Sequence, residues 1–255
     1  MTEASLAMAV DAVATAMAPE LGETPTAFFR SVYAHGLDRY RTRMAALGLE
    51  QGGMLLDAGC GFGQWSLAVA GGYRQIVGID VSPARVAACR RLAHEAGVGN
   101  CVFERASLEA MPLAGGAFDA AISYSVLYAT DYMRAIYELG RVIRPGGTLY
   151  LSTNGAGRYV ADIVENRYAN KDFNTRRAAL FTLGRTAMEA LGNSRRWSGT
   201  TVFMPVSRTL RLLRRAGFEI VEVGPEGSLG KGDTPWLPGR YAGLVATYDV
   251  LARRR

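Results

Sequence analysis

The segment Leu55-Leu56-Asp57-Ala58-Gly59-Cys60-Gly61-Phe62-Gly63 constrains the fold of this 255-residue chain more than any other. A short apolar run ends in a carboxylate, three glycines follow at alternate positions, and Gln64 to Ala70 then reads as a helix. Strand, glycine turn and helix in that order open a β-α-β unit. The glycines let a ligand lie against bare backbone, and the helix N-terminus offers N–H groups without partners. Val77-Gly78-Ile79-Asp80 ends a second strand in another carboxylate, 23 residues after Asp57. At the tips of neighbouring strands, Asp57 can receive a ligand ammonium and Asp80 can accept both hydroxyls of a ribose.

A dinucleotide site has a different spacing. It needs G-x-G-x-x-G, whose turn receives a pyrophosphate. Here the glycines stand at 59, 61 and 63, position 64 is Gln, and Asp57 would repel a pyrophosphate. The pattern favours a nucleoside with a cationic tail over a nicotinamide or flavin cofactor. The structural alternative is a glycine turn that binds nothing.

Around this motif, strands alternate with helices. Strands are expected at Met54–Asp57, Gln75–Ile79, Cys101–Glu104, Phe118–Tyr124, Thr148–Ser152, Phe218–Val223 and Tyr241–Ala252. Such alternation gives an α/β fold with helices on both faces of a parallel sheet. Residues 50–152 and 207–255 form the Rossmann-like core. Residues 1–49 read as an N-terminal helical cover, with Thr24-Pro25 as a helix start. Residues 153–206 break the rhythm and read as an inserted helical lid, with helices near Tyr159–Tyr168 and Asn174–Leu191.

Composition narrows the class. Apolar residues make up 49% and charged residues 20%, the balance of a globular protein. No run approaches eighteen apolar residues, so no membrane span is expected. Glu3 and Asp11 sit where a signal peptide would be basic and apolar. Cys60, Cys89 and Cys101 lack metal-ligand spacing and read as reduced thiols in a cytoplasmic protein. Residues 153–215 carry 12 basic and 4 acidic side chains, including Arg176-Arg177, Arg195-Arg196 and Arg214-Arg215. That charge suits an anionic substrate, or else a solvated arginine face. No nucleic-acid module is visible.

Together these motifs resemble the class I S-adenosylmethionine-dependent methyltransferases of the small-molecule type. The glycine motif and Asp80 match in full. Ala106-Ser107-Leu108 matches the segment beside the adenine, although many relatives carry an acid near Ser107. Phe118 to Leu127 and Arg144 to Leu149 match the fourth strand and the turn before the fifth. The resemblance implies a seven-stranded sheet, mostly parallel, whose last strand is antiparallel. It implies S-adenosylmethionine as cofactor and S-adenosylhomocysteine as product. Cofactor contacts would come from Asp57, Gly59, Cys60, Gly61 and Gly63 on the turn. Asp80 and Val81 would add contacts after the second strand, and Ser107, Leu108 and Ser123 further on. Arg30 and Tyr33, on the N-terminal cover, would meet the cofactor carboxylate.

The acceptor expected is a small molecule, with oxygen favoured over nitrogen or carbon and natural products or sugars as leading classes. A hydroxyl acceptor benefits from a general base. His35 is the base candidate, because His94 lies on a helix that the family places away from the methyl group. Tyr128 stands where some relatives have a histidine near the substrate, and either lines the pocket or packs. Two other functions remain open: a protein that binds the cofactor without turning it over, and a nicotinamide-dependent oxidoreductase.

Overall fold

The computed structural model describes residues 2–166, 174–190 and 201–255. Three helices come first: α1 (Glu3–Leu21), α2 (Glu23–Tyr33) and α3 (Asp38–Ala46). The alternating core follows as β1 (Gly52–Ala58), α4 (Gln64–Val69), β2 (Tyr73–Asp80), α5 (Pro83–Glu95), β3 (Cys101–Arg105), β4 (Phe118–Tyr124), α6 (Tyr132–Val142) and β5 (Ile143–Asn154). Helices α7 (Ala156–Glu165), α8 (Thr175–Ala190) and α9 (Val206–Arg215) lead to β6 (Phe218–Pro225). The short strands β7 (Arg240–Tyr241) and β8 (Leu244–Val245) precede β9 (Thr247–Arg254).

The main sheet has seven strands in the order β3-β2-β1-β4-β5-β9-β6. Strands β1 to β5 pair in parallel, and β9 runs antiparallel between β5 and β6. From β1 the chain winds outward to β3 and then returns to β4 on the other side. That reversal opens a crevice at the carboxyl ends of β1 and β4. Leu55, Leu56 and Ala58 are fully buried, as a central strand covered on both faces requires. One face packs against α1 to α5 through residues such as Phe29, Trp65 and Leu92. The other packs against α6 and α9 through Ile136, Leu139 and Leu213.

Several boundaries depart from the sequence reading. Gly22, at φ +82°, joins α1 to α2, so α2 begins at Glu23 and Thr24 lies inside it. The expected last strand is split, because Ala242 and Gly243 take positive φ and turn residues 240–245 into a hairpin. Helix α1 is long and apolar enough, by length and composition alone, to cross a membrane. Here its buried stripe of Leu6, Val10, Val13 and Met17 joins the core with α2 and α5.

A buried guanidinium fastens the N-terminal cover to the sheet. Arg43 of α3 is 1% exposed, and its Nη1 donates to Glu226 Oε1 at 2.7 Å and to Tyr150 Oη at 3.2 Å. Its Nε reaches Asp233 at 3.1 Å, and Asp249 of β9 lies 3.7 Å from Nη1. Tyr150 in turn donates to Asp249 at 3.0 Å. Burial pushes the Asp249 carboxyl up to about 6. Removing one member of a buried ion cluster leaves the others unpaired, which costs about 3–5 kcal/mol. Arg43→Met should therefore lower stability by about that amount in urea titrations at pH 7. The deficit should shrink at lower pH, where the unpaired carboxylates can bind protons. A deficit that does not change with pH would show that lost packing is responsible.

Candidate functional site

The crevice is built on the turn after β1. Ala58 and Ile79 are in register, and the Ile79 carbonyl accepts N–H bonds from both Gly59 and Cys60 at 2.9 Å. Gly59, Gly61 and Gly63 all have φ between +56° and +80°. A side chain at Gly59 would stand 2.6 Å from Val126, and one at Gly63 would press on Phe103 and Cys89. At Gly61 nothing lies within 4 Å of the same position. The backbone there faces open space, as close approach of a ligand requires.

Two carboxylates face this turn. Asp57 is 2% exposed and accepts from Ser66 Oγ at 2.7 Å. Burial raises its carboxyl to about 6, and among the described residues no basic side chain pairs with it. A cation placed there would hold it ionised. Asp80 is held by the backbone: Gly61 N–H donates to Oδ2 at 3.2 Å and Ser82 N–H to Oδ1 at 2.9 Å. Val81 is exposed beside it. Ala106 N–H donates to the Asp80 carbonyl at 3.1 Å, which sets Ser107 and the buried Leu108 next along the rim. Ser107 Oγ accepts from the Glu109 N–H. Ser123 Oγ, Ser125 Oγ and Gln64 Oε1 are buried without a hydrogen-bond partner among the described residues. Ser125 also takes φ +54°, an unusual conformation for a residue with a side chain.

Cys60 is buried against Cys89, whose Sγ donates to the Gly61 carbonyl at 3.4 Å. The contact with Cys89, then burial, raise the Cys60 thiol. Both thiols pack beneath the turn and hold its shape. Asp57, Asp80 and the glycines thus lie around one turn, with Ser107 after β3 and Ser123 near the end of β4.

Other expected members are placed elsewhere. Tyr33 donates its hydroxyl to the Phe62 carbonyl at 2.8 Å, and the Phe29 ring stacks on Phe62 at 4.7 Å. Helix α2 therefore clamps the glycine turn, and the Tyr33 proton is committed to backbone. Arg30 is bound by Asp11 at 3.0 Å and Thr15 at 2.9 Å, against α1. His35 is exposed in the turn between α2 and α3. The adjacent Gly36 faces the Glu3 carboxylate, and Leu37 lines a cavity with Gly72 and Gly97. Gly72 and Gly97 precede β2 and β3, so this turn lies at the sheet edge opposite Asp57 and Asp80. That position sets His35 apart from the two carboxylates. His94 is exposed beside Glu95. Tyr128 is half-buried in the turn after β4, and burial raises its phenol while Arg158 and Arg85 oppose the rise.

The arginine pairs also divide. Arg176 donates to the Ile163 carbonyl at 2.7 Å. Arg214 and Arg215 are exposed at the end of α9, where β6 begins, at the edge away from the crevice. Arg195-Arg196 lie outside the described residues. Sequence reasoning missed Ser66, one helical turn into α4, and Arg85, five residues beyond Asp80. Helical phase could have flagged both, because each stands on the face turned to its carboxylate.

Comparison with known proteins gives a consistent result. A family profile described as a methyltransferase domain matches residues 55–147. The malonyl-[acyl-carrier protein] O-methyltransferase of Serratia marcescens is 31% identical over 203 residues, covering 77% of this chain and 74% of that protein. The ubiquinone/menaquinone biosynthesis C-methyltransferase UbiE of Syntrophotalea carbinolica is 37% identical over 122 residues, 45% of this chain. That match spans 50% of the relative's own length. Among solved structures, an S-adenosylmethionine dependent methyltransferase from Mesorhizobium loti aligns at TM-score 0.58 and 25% identity, covering 86% of this chain and 100% of that one. The [4+2]-cyclase SpnF aligns at TM-score 0.58 and 25% identity, covering 86% and 80%. The cyclase name shows that this fold does not by itself fix the reaction.

The carboxylates yield a pH test. A ligand ammonium beside Asp57 would lower its pKa from about 6, so binding should release a proton near that pH. Affinity for S-adenosylhomocysteine should rise from about pH 5 to pH 7 in calorimetry, with proton release visible on changing buffer. Gly61→Val should abolish binding while the protein stays folded. Affinity that is flat with pH would place the ammonium away from Asp57.

Proposed function

This chain belongs to the S-adenosylmethionine-dependent methyltransferase family, and we propose that it methylates an oxygen of a small-molecule acceptor without a side-chain general base. The observation that carries this reading is where the candidate bases stand. The chain has two histidines, and both are exposed away from the crevice. The Tyr128 phenol is raised by burial, so at neutral pH it keeps its proton. An acceptor that is nucleophilic on its own needs nothing from these three groups.

S-adenosylmethionine, when bound, supplies a methyl group already activated by a sulfonium. The protein's part is alignment, which is worth about 7–11 kcal/mol in well-oriented reactions. Asp57 would take the ammonium of the methionine portion, with Ser66 keeping that carboxylate in place. Asp80, fixed by two backbone N–H groups, would accept the ribose hydroxyls. Gly61 leaves room for the ligand, while Ser107 and Leu108 would flank the adenine. Ser123, Ser125 and Gln64 offer polar atoms that a ligand can satisfy.

Oxygen as acceptor atom is supported by the Serratia O-methyltransferase, which this chain matches over most of its length. The UbiE C-methyltransferase supports carbon over half of its own length. A natural-product or sugar derivative that carries an ionised oxygen fits both the missing base and the basic segment. Helices α7 and α8, next to the crevice end of β5, would act as the lid, and the three free thiols support action in the cytoplasm. A second reading, in which the chain does not transfer a methyl group, is favoured by the likeness to SpnF, whose name is that of a [4+2]-cyclase. Label transfer from methyl-tritiated cofactor into pooled metabolites separates the two.

Two variants test the assignment. Asp80→Ala should weaken cofactor binding by about 1.5–3 kcal/mol, the range for hydrogen bonds to a charged group. His35→Gln should keep single-turnover rates within about twofold of wild type at every pH, whereas loss of a general base costs about 10²–10⁴. A loss of that size in His35→Gln would restore it as the base and end the base-free reading.

A further inference from the structure

We infer that Arg39, laid on the Trp236 ring beside the crevice, anchors an anionic group of the methyl acceptor, and that this group is not the one methylated. The inference rests on the methyltransferase reading and narrows its substrate class to carboxylates or phosphate esters with an apolar body. Arg39 stands in the first turn of α3, one turn before Arg43. Its guanidinium carbon lies 4.0 Å from the Trp236 ring centre and 5.2 Å from that of Tyr40. Trp236 packs against Trp65, the second residue of α4, at 5.4 Å and against Tyr124, the last residue of β4, at 5.7 Å. Both of those residues belong to the carboxyl edge of the sheet, where the glycine turn ends and β4 meets the crevice.

Two guanidiniums lie on Trp236, and they differ in their charge partners. Arg43, 4.4 Å from the same ring, is enclosed by carboxylates. Arg39 is half-buried, and its Nε is sealed from solvent without a hydrogen-bond partner. Among the described residues no carboxylate lies within ion-pair distance of Arg39. The acids of the Arg43 cluster are already committed. Glu226 accepts from Arg43, Tyr124 and the Trp236 N–H at 2.7, 3.0 and 2.7 Å. Asp233 accepts from Arg43 Nε and from the Thr234 N–H. Guanidiniums withdrawn from water are ordinarily paired, so the one at Arg39 is left with donors for an anion. The indole beneath it is fixed before any ligand arrives, because the Thr234 carbonyl also accepts from Arg43 Nη2 at 3.1 Å.

The chemistry of the pair selects the ligand. A guanidinium lying on an indole keeps its N–H edge free, and that edge matches two oxygens of a carboxylate or phosphate. Stacking also holds the long side chain in one place, which lowers the entropy lost on binding. Tyr124 and Trp236 are themselves half-buried, so their rings offer an apolar body a surface next to the charge. An anchor of this kind aligns the acceptor and moves no proton. The methyl group passes to a separate oxygen of the acceptor. There the O–CH₃ bond forms, the S–CH₃ bond breaks with its electron pair returning to sulfur, and the hydroxyl proton leaves to water. The anchored group keeps its charge throughout.

The experiment uses the whole protein saturated with S-adenosylhomocysteine and titrates benzoate, phenyl phosphate and the neutral benzyl alcohol by calorimetry. At least one of the two anions should bind, and benzyl alcohol should bind about 10-fold more weakly or not at all. Arg39→Gln should weaken the anion about 10- to 100-fold, the loss expected for a hydrogen bond to a charged group, and leave S-adenosylhomocysteine affinity alone. Arg39→Lys should recover part of the loss, and Arg214→Gln should change nothing. With methyl-tritiated S-adenosylmethionine, benzoate should take up no label that mild base releases as methanol. No binding of either anion, equal binding of benzyl alcohol, unaltered anion affinity in Arg39→Gln, or base-labile label on benzoate each overturns the anchor. Failure of the wild-type protein to bind S-adenosylhomocysteine would instead overturn the methyltransferase reading.

Discussion

The Ile79 carbonyl at the end of β2 sets the geometry on which the crevice depends. By accepting N–H bonds from Gly59 and Cys60, it locks the turn after β1 to the neighbouring strand. Gly61 N–H can then donate to Asp80, and both carboxylates come to face one space. The three positive φ values that this path demands are accessible to glycine at little cost. The register of β1 against β2, set by two strands buried along their carboxyl halves, is therefore also the register of the site.

The N-terminal helices act on this geometry through backbone and rings. Phe29 and Tyr33 hold Phe62 from above the turn, while Cys89 and Phe103 support it from below. Arg43 secures the same helical layer to β5, β9 and the loop after β6 by a cluster sealed from water. Such buried ion pairs are costly to break more than they are stabilising to form. Their effect here is to fix where α3 sits, and with it the aromatic group of Tyr40, Trp65, Tyr124 and Trp236.

Electrostatics divides the crevice into two halves. On the β1–β2 side, buried Asp57 and backbone-held Asp80 offer negative charge to a cationic nucleoside. Beside Asp80 the Arg85 guanidinium lies 3.9 Å from Oδ2, and after β5 Arg158 is held by Asp162.

The sequence determined the fold class, the alternation of strands and helices in the core, and the glycine turn with its strand-end acids. Those features depend on local chemistry: buried apolar runs, glycines at fixed spacing, and acids at strand ends leave few alternatives. What lay outside local pattern had to come from tertiary structure. Residues 30, 33 and 35 are neighbours in sequence, yet Arg30 faces α1, Tyr33 clamps the turn and His35 points to solvent at the far edge. Helical periodicity shows which residues share a face, and it does not show what that face meets. Arg43 meets Glu226 across 183 positions, and Tyr33 meets the Phe62 carbonyl across 29. Contacts of this length are set by how helices pack on the finished sheet, so only the folded chain could place them.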